Sequence, residues 1–182
     1  MEKIVFVSGY KPQELGIFKQ NHPSIAYIKK AIKHQLESLI DDGLEWIIIS
    51  GQLGTELWTA EVVFDLQMED HSELKLAVIT PFLNQEKNWS ESNQELYEMV
   101  LMQADFVDSI TKKEYEAPWQ FRVKNQFLIE KSDVLLLFYD EEKEGSPKYL
   151  YRAARDYEQN HEYNLRLITF YDLQLLVEEE NQ

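Results

Sequence analysis

Residues 46–58 read WIIISGQLGTELW: Trp46-Ile47-Ile48-Ile49, then Ser50-Gly51-Gln52-Leu53-Gly54, then Thr55-Glu56-Leu57-Trp58. The first four residues are apolar and mostly β-branched with no polar alternation, which fits a strand covered on both faces. Two glycines three apart supply a tight turn out of it. Thr55 can cap a helix, and Glu56 places a carboxylate at its positive end. Glu56 to Gln67 are apolar on most sides, as in a helix packed deep against a sheet.

The same strand–turn–helix unit recurs on either side. Residues 4–8 (IVFVS) read as a buried strand, followed after Pro23 by a helix with Ile25, Ile28, Ile32, Leu36, Leu39 and Ile40 on one face. Gly43 ends that helix. Leu74 to Thr80 form a third strand, stopped by Pro81. Ser92 and Glu95 have capping-box spacing ahead of a helix through Leu96, Tyr97, Val100, Leu101 and Ala104. Asp105 to Ile110 are a weaker strand, and a helix from Pro118 reaches about Lys131. Val134 to Tyr139 are the most hydrophobic strand, followed by a helix from Pro147 to about Gln159. Leu165 to Phe170 give a last strand, and Leu173 to Val177 a short helix. Strands and helices alternate six times. The expected fold is therefore α/β: one Rossmann-like domain, residues 1–182, with a parallel sheet flanked by helices on both faces.

Composition narrows the functions. The 182 residues carry a formal net charge of −15, which repels phosphate backbones and disfavours nucleic acid as a partner. A small anion remains compatible, because a pocket can be positive inside a negative molecule. Zero cysteines exclude disulfides, thiolate zinc sites and a cysteine nucleophile. The four histidines lack metal-binding spacing, so no metal is expected. No apolar run approaches the roughly 20 residues that span a bilayer, and the N-terminus lacks a signal peptide, so membrane insertion is not expected and the expected compartment is the cytoplasm.

Parallel α/β sheets bind ligands at the carboxyl ends of their strands. Gly9, Gly16, Gly51, Gly54 and Gly145, five of the six glycines, fall in loops at that rim. Glycine lets backbone amides approach an anion, and the helix that follows adds its dipole. Gly51-Gln52-Leu53-Gly54-Thr55 meets both conditions, as does Gly145-Ser146-Pro147. The spacing is not the dinucleotide G-x-G-x-x-G. Glu56 could accept hydrogen bonds from ribose hydroxyls. Arg122 and Asn125, three apart on a helix, could reach a phosphate and a base or sugar. Tyr10, Trp58 and Trp119 could stack on a base. Each feature also has a plainer reading: turn geometry, a helix-start carboxylate, a surface pair, core aromatics.

The segments SGYKPQELGIF, ISGQLGTELWTAE, LAVITPF, PWQFRVKNQFLIEKSD and EGSPKY resemble the YpsA family of bacterial cytoplasmic proteins over nearly the whole chain. That family lies in the SLOG group of Rossmann-like domains, with DprA and the LOG and lysine-decarboxylase-like phosphoribohydrolases. The resemblance implies a site for a ligand derived from a nucleotide, of NAD or ADP-ribose type; no cofactor is otherwise expected. It matches Gly51, Gly54 and Glu56 to a glycine-plus-acid motif, Arg122 and Asn125 to an arginine–asparagine stretch, and Gly145 and Ser146 to a second phosphate turn. It also implies a link to cell division and stress responses in Gram-positive bacteria, with a protein partner in the division machinery.

The hydrolases of the group carry P-G-G-x-G-T-x-x-E at the last phosphate loop. Here Gly145-Ser146-Pro147-Lys148-Tyr149-Leu150-Tyr151-Arg152 lacks the glutamate. The expected role is thus a ligand-binding regulator. The alternative is a nucleotide or NAD N-glycosidase in which Glu56 stabilises the oxocarbenium charge and Arg122 holds the phosphate.

Overall fold

A computed structural model describes residues 2–182. Its elements follow the expected alternation: β1 (Ile4–Gly9), α1 (Pro23–Asp41), β2 (Trp46–Ile49), α2 (Thr55–Glu69), β3 (Lys75–Thr80), α3 (Glu91–Gln103), β4 (Phe106–Ser109), α4 (Trp119–Glu130), β5 (Val134–Phe138), α5 (Pro147–Glu158), β6 (Asn164–Ile168) and α6 (Phe170–Glu180). A 3-10 turn, Pro12–Leu15, follows β1. All strand pairs are parallel, in the order β4-β3-β2-β1-β5-β6.

That order places the helices. The chain steps from β1 to β4 in one direction and from β5 to β6 in the other. Because parallel crossovers are right-handed, α1, α2 and α3 cover one face, and α4 and α5 the other. Packing agrees: α1 lies on α2 and α2 on α3, while α4 and α5 lie on each other. The final helix, α6, returns to pack on α1. The strands β1, β2 and β5 are the interior of the molecule, with Val5, Phe6, Ile47, Ile49 and all of Val134–Phe138 fully shielded from water. Edge strand β4 is not, since Phe106 and Val107 remain exposed.

Several boundaries differ from expectation for local chemical reasons. Ser90, not Ser92, caps α3, its hydroxyl accepting from the Asn93 amide. The last strand ends at Ile168 because Thr169 caps α6, with Asp172 completing a reciprocal box, so α6 is longer than the apolar run alone implied. Thr55 is the first residue of α2 rather than its cap; Gly54 holds the cap position. Among the described residues, no helix is long and apolar enough to cross a membrane.

Candidate functional site

The sheet order reverses between β1 and β5, and in open parallel sheets such a reversal leaves a crevice beyond the strand ends. A cavity of about 500 Å³ lies there. It is lined by Ser8 and Gly9 at the end of β1, by Gln52 and Glu56, and by Arg122, Lys124 and Asn125 of α4. Ser146 and Pro147 at the start of α5 complete the wall. Its volume suits a small organic ligand.

Glu56 is 2% exposed and holds the rim together. Its Oε1 accepts from the Ser50 amide at 2.6 Å, the Ser50 hydroxyl at 2.8 Å and the Gln52 amide at 3.2 Å. Its Oε2 accepts from the Ser8 hydroxyl at 2.7 Å. These charge-assisted bonds tie the end of β1 to the end of β2. Only Oε2 keeps room for a further donor.

Three basic side chains line the same cavity: Lys11, Arg122 and Lys124. Lys124 is 6% exposed. Burial pushes its pKa down; the charge of Glu56 opposes this and that of Lys11 reinforces it. The side-chain oxygen of Asn125 is buried without a hydrogen-bond partner. Lys124 and Lys11 were missed in reading the sequence. The sequence signal for Lys124 was only its place one helical turn before Leu128; that this is the inward stripe of α4 follows from the burial of Gln120 and Leu128 in the structure.

The structure gathers Gly9, Gln52, Glu56, Arg122, Asn125 and Ser146 around one cavity and takes the other candidates elsewhere. Tyr10 is a core residue at 0% exposure, edge-on to Phe138 and stacked on Phe170, so its ring faces no ligand. Its hydroxyl donates to the Lys143 carbonyl at 2.6 Å, lies 3.1 Å from the Asp140 carbonyl, and accepts from the Asp140 amide. Thr55 is pinned, with both amide and hydroxyl donating to the Tyr10 carbonyl. Trp119, 36% exposed at the start of α4, and buried Trp58 are both off the cavity wall. Gly54 and Trp58 instead border a separate hollow of about 230 Å³ with Leu57 and Phe18.

The glycines serve the chain's own packing. Gly54 has φ +88° and ψ −128°, and a Cβ there would stand 2.6 Å from the Tyr10 carbonyl oxygen. At Gly51, φ is +84° and a Cβ would strike Gln85 and Tyr97. At Gly9 it would meet Phe138 and Thr55, and at Gly145 the Glu14 carboxylate. The expected second phosphate turn already holds an anion, because Glu14 accepts from the Ser146 amide at 2.6 Å and hydroxyl at 2.7 Å.

Comparison of the sequence with known proteins matches it to a family. The YpsA family model, described as the YspA SLOG family, matches residues 5–173. A UPF0398 protein of Bacillus cereus (strain AH820) is 60% identical over 178 residues, covering 98% of this chain and 96% of that protein. A UPF0398 protein of Bacillus thuringiensis (strain Al Hakam) is 59% identical over the same coverage. Among solved structures, DNA processing protein A from Helicobacter pylori, described for its single-stranded DNA binding mode, aligns with a TM-score of 0.51 at 17% identity. That alignment covers 90% of this chain and 64% of the neighbour, and at such identity it speaks to fold alone. On the family match and on relatives similar from end to end, the chain belongs to the YpsA family of SLOG proteins.

Proposed function

We propose that this protein binds a small anionic ligand derived from a nucleotide, of ADP-ribose or NAD type, in the cavity between the ends of β1 and β5. The observation that carries this reading is the convergence of Lys11, Arg122 and Lys124 on one cavity in a chain of net charge −15. Crowding three basic groups into one hollow is unfavourable unless an anion joins them or one of them gives up its proton. The unpartnered Asn125 oxygen and the free direction on Glu56 Oε2 are acceptors suited to sugar hydroxyls or a base amino group.

The role is that of a ligand-responsive regulator rather than a hydrolase. An N-glycosidase would need a carboxylate able to face the developing positive charge at the sugar. Glu56 is instead engaged by four donors of its own rim. A protein partner in cell division rests on the family resemblance alone.

Calorimetric titration of ADP-ribose, NAD and AMP against wild type, Arg122→Ala and Lys124→Met tests the reading. Binding by wild type that weakens about tenfold or more in Arg122→Ala, the loss typical of a charge-assisted hydrogen bond, and by less in Lys124→Met is expected. No binding by wild type to any of the three would overturn it. Base release tracked by chromatography separates regulator from hydrolase.

A further inference from the structure

Lys124 is an unusual residue to bury. It sits on the inward stripe of α4, yet no carboxylate lies within ion-pairing distance of its ammonium among the described residues, and Glu56 acts on it only through space. The carboxylate that could have neutralised it is held by Ser8, Ser50 and Gln52. Lys124 therefore lines the cavity with no hydrogen-bond or ion-pair partner for its amine among the described residues; Arg122 lines the same cavity, as does Lys11, which is near enough to act on it by charge. Burial and a neighbouring cation both favour the neutral amine, the form in which lysine is a nucleophile. Arg122 is always charged and Lys11 also lines the cavity, so these two can hold a phosphate while Lys124 is left for chemistry.

We propose that Lys124 Nζ is a covalent docking point, condensing reversibly with the carbonyl carbon of a phosphorylated aldehyde or open-chain sugar phosphate held in this cavity. The inference rests on the cavity's being an anion site, as proposed above, and names the reactive group of its ligand. ADP-ribose, whose terminal ribose opens to an aldehyde, has this chemistry; NAD and AMP, whose sugars are glycosidically locked, do not. In the step, the Nζ lone pair forms a bond to the carbonyl carbon and the oxygen takes a proton, giving a carbinolamine. The C–O bond then breaks, water leaves, and a C=N bond remains. Counted from the ammonium, the balance is R–NH3+ plus O=CH–R′ giving R–NH+=CH–R′ plus H2O, with no oxidant or reductant consumed.

The test uses pyridoxal 5′-phosphate as the phosphorylated aldehyde, with the whole chain, borohydride reduction and peptide mapping by mass spectrometry. Label is expected on Lys124 ahead of exposed lysines such as Lys19 and Lys131, and is expected to fall when excess ADP, which carries no free carbonyl, competes for the cavity. Lys124→Arg is expected to lose that label while holding ADP better than Lys124→Met. Label confined to the exposed lysines, or label on Lys124 indifferent to ADP, overturns the proposal. The wild-type map decides this whether or not a variant folds. If wild type binds ADP but Lys124 stays unlabelled, the covalent step fails and the binding reading stands. If ADP does not bind and no label forms, both fall.

Discussion

Glu56 binds two strand ends through one carboxylate, and this changes what its substitution would report. In Glu56→Gln, one oxygen becomes an NH2 group that must face either the Ser8 hydroxyl or the Ser50 and Gln52 amides. The expected cost is about 2–3 kcal/mol of stability, the scale of a lost hydrogen bond to a charged group plus an unsatisfied donor, read as a lower urea midpoint with unchanged slope. Any accompanying loss of ligand affinity would follow from a loosened rim and is not a sign of catalysis. Gly54→Ala is expected to be worse, on the order of 3 kcal/mol or more, because φ +88° with ψ −128° is a glycine region and the Cβ would meet the Tyr10 carbonyl. Urea unfolding of that variant checks it; wild-type stability would contradict the packing role. At this scale the sequence was half legible. Gly54 and Glu56 stood out as special, but reading them as ligand contacts missed Ser8, Ser50 and the Tyr10 carbonyl, which come from other strands and loops and leave no local trace.

Between elements, the joint that matters most is the one linking the 3-10 turn Pro12–Leu15 to the start of α5. Glu14 accepts from the Lys11 amide as well as from Ser146, so one side chain closes a 3-10 turn and satisfies the start of a helix 132 residues away. Burial pushes the Glu14 pKa up, but the hydrogen bonds from Lys11 and Ser146 outweigh it and the net shift is downward. A depressed carboxylate pKa stabilises the fold above the group's ordinary value of 4.5, and that contribution is lost as pH falls through the lower folded value. The Ser146 amide resonance is therefore expected to follow the Glu14 titration below pH 4.5, and Glu14→Gln should abolish the response. A Ser146 shift unaffected by that substitution would show the joint to be absent. Element types were readable from periodicity, since β-branched runs and helical stripes are local. This joint was not, because nothing near Glu14 in sequence announces Ser146. Helix starts sat between: the Pro147 start was correct, whereas α3 began two residues early because Ser90 and Ser92 offer equivalent hydroxyls and packing chose between them.

For the whole molecule, alternation of elements was enough to expect a parallel sheet with helices on both faces, but not the order β4-β3-β2-β1-β5-β6. Strand neighbours are decided by contacts far apart in sequence, so the β1–β5 reversal that creates the cavity became visible only in three dimensions. Overall charge, by contrast, is a property of composition and was readable at once. It bears directly on the likeness to a DNA-processing protein described for single-stranded DNA binding. A shared fold does not carry a function across 17% identity, and site chemistry must decide. A strand of nucleic acid places many phosphates along a surface, and each gains only where a cation meets it. Here the net charge of −15 repels the strand at long range, while Lys11 and Arg122 offer their charge at one hollow sized for a small molecule. The expected outcome is a sharp split: ADP-ribose binds at physiological salt, whereas a fluorescent oligothymidylate shows no anisotropy change under the same conditions. Lowering the salt would not rescue the oligonucleotide, because weaker screening strengthens the repulsion along with the local attraction. Oligonucleotide binding that grows as salt falls and disappears in Arg122→Ala would show that the cavity opens onto a strand-binding surface, and the small-ligand assignment would then be wrong.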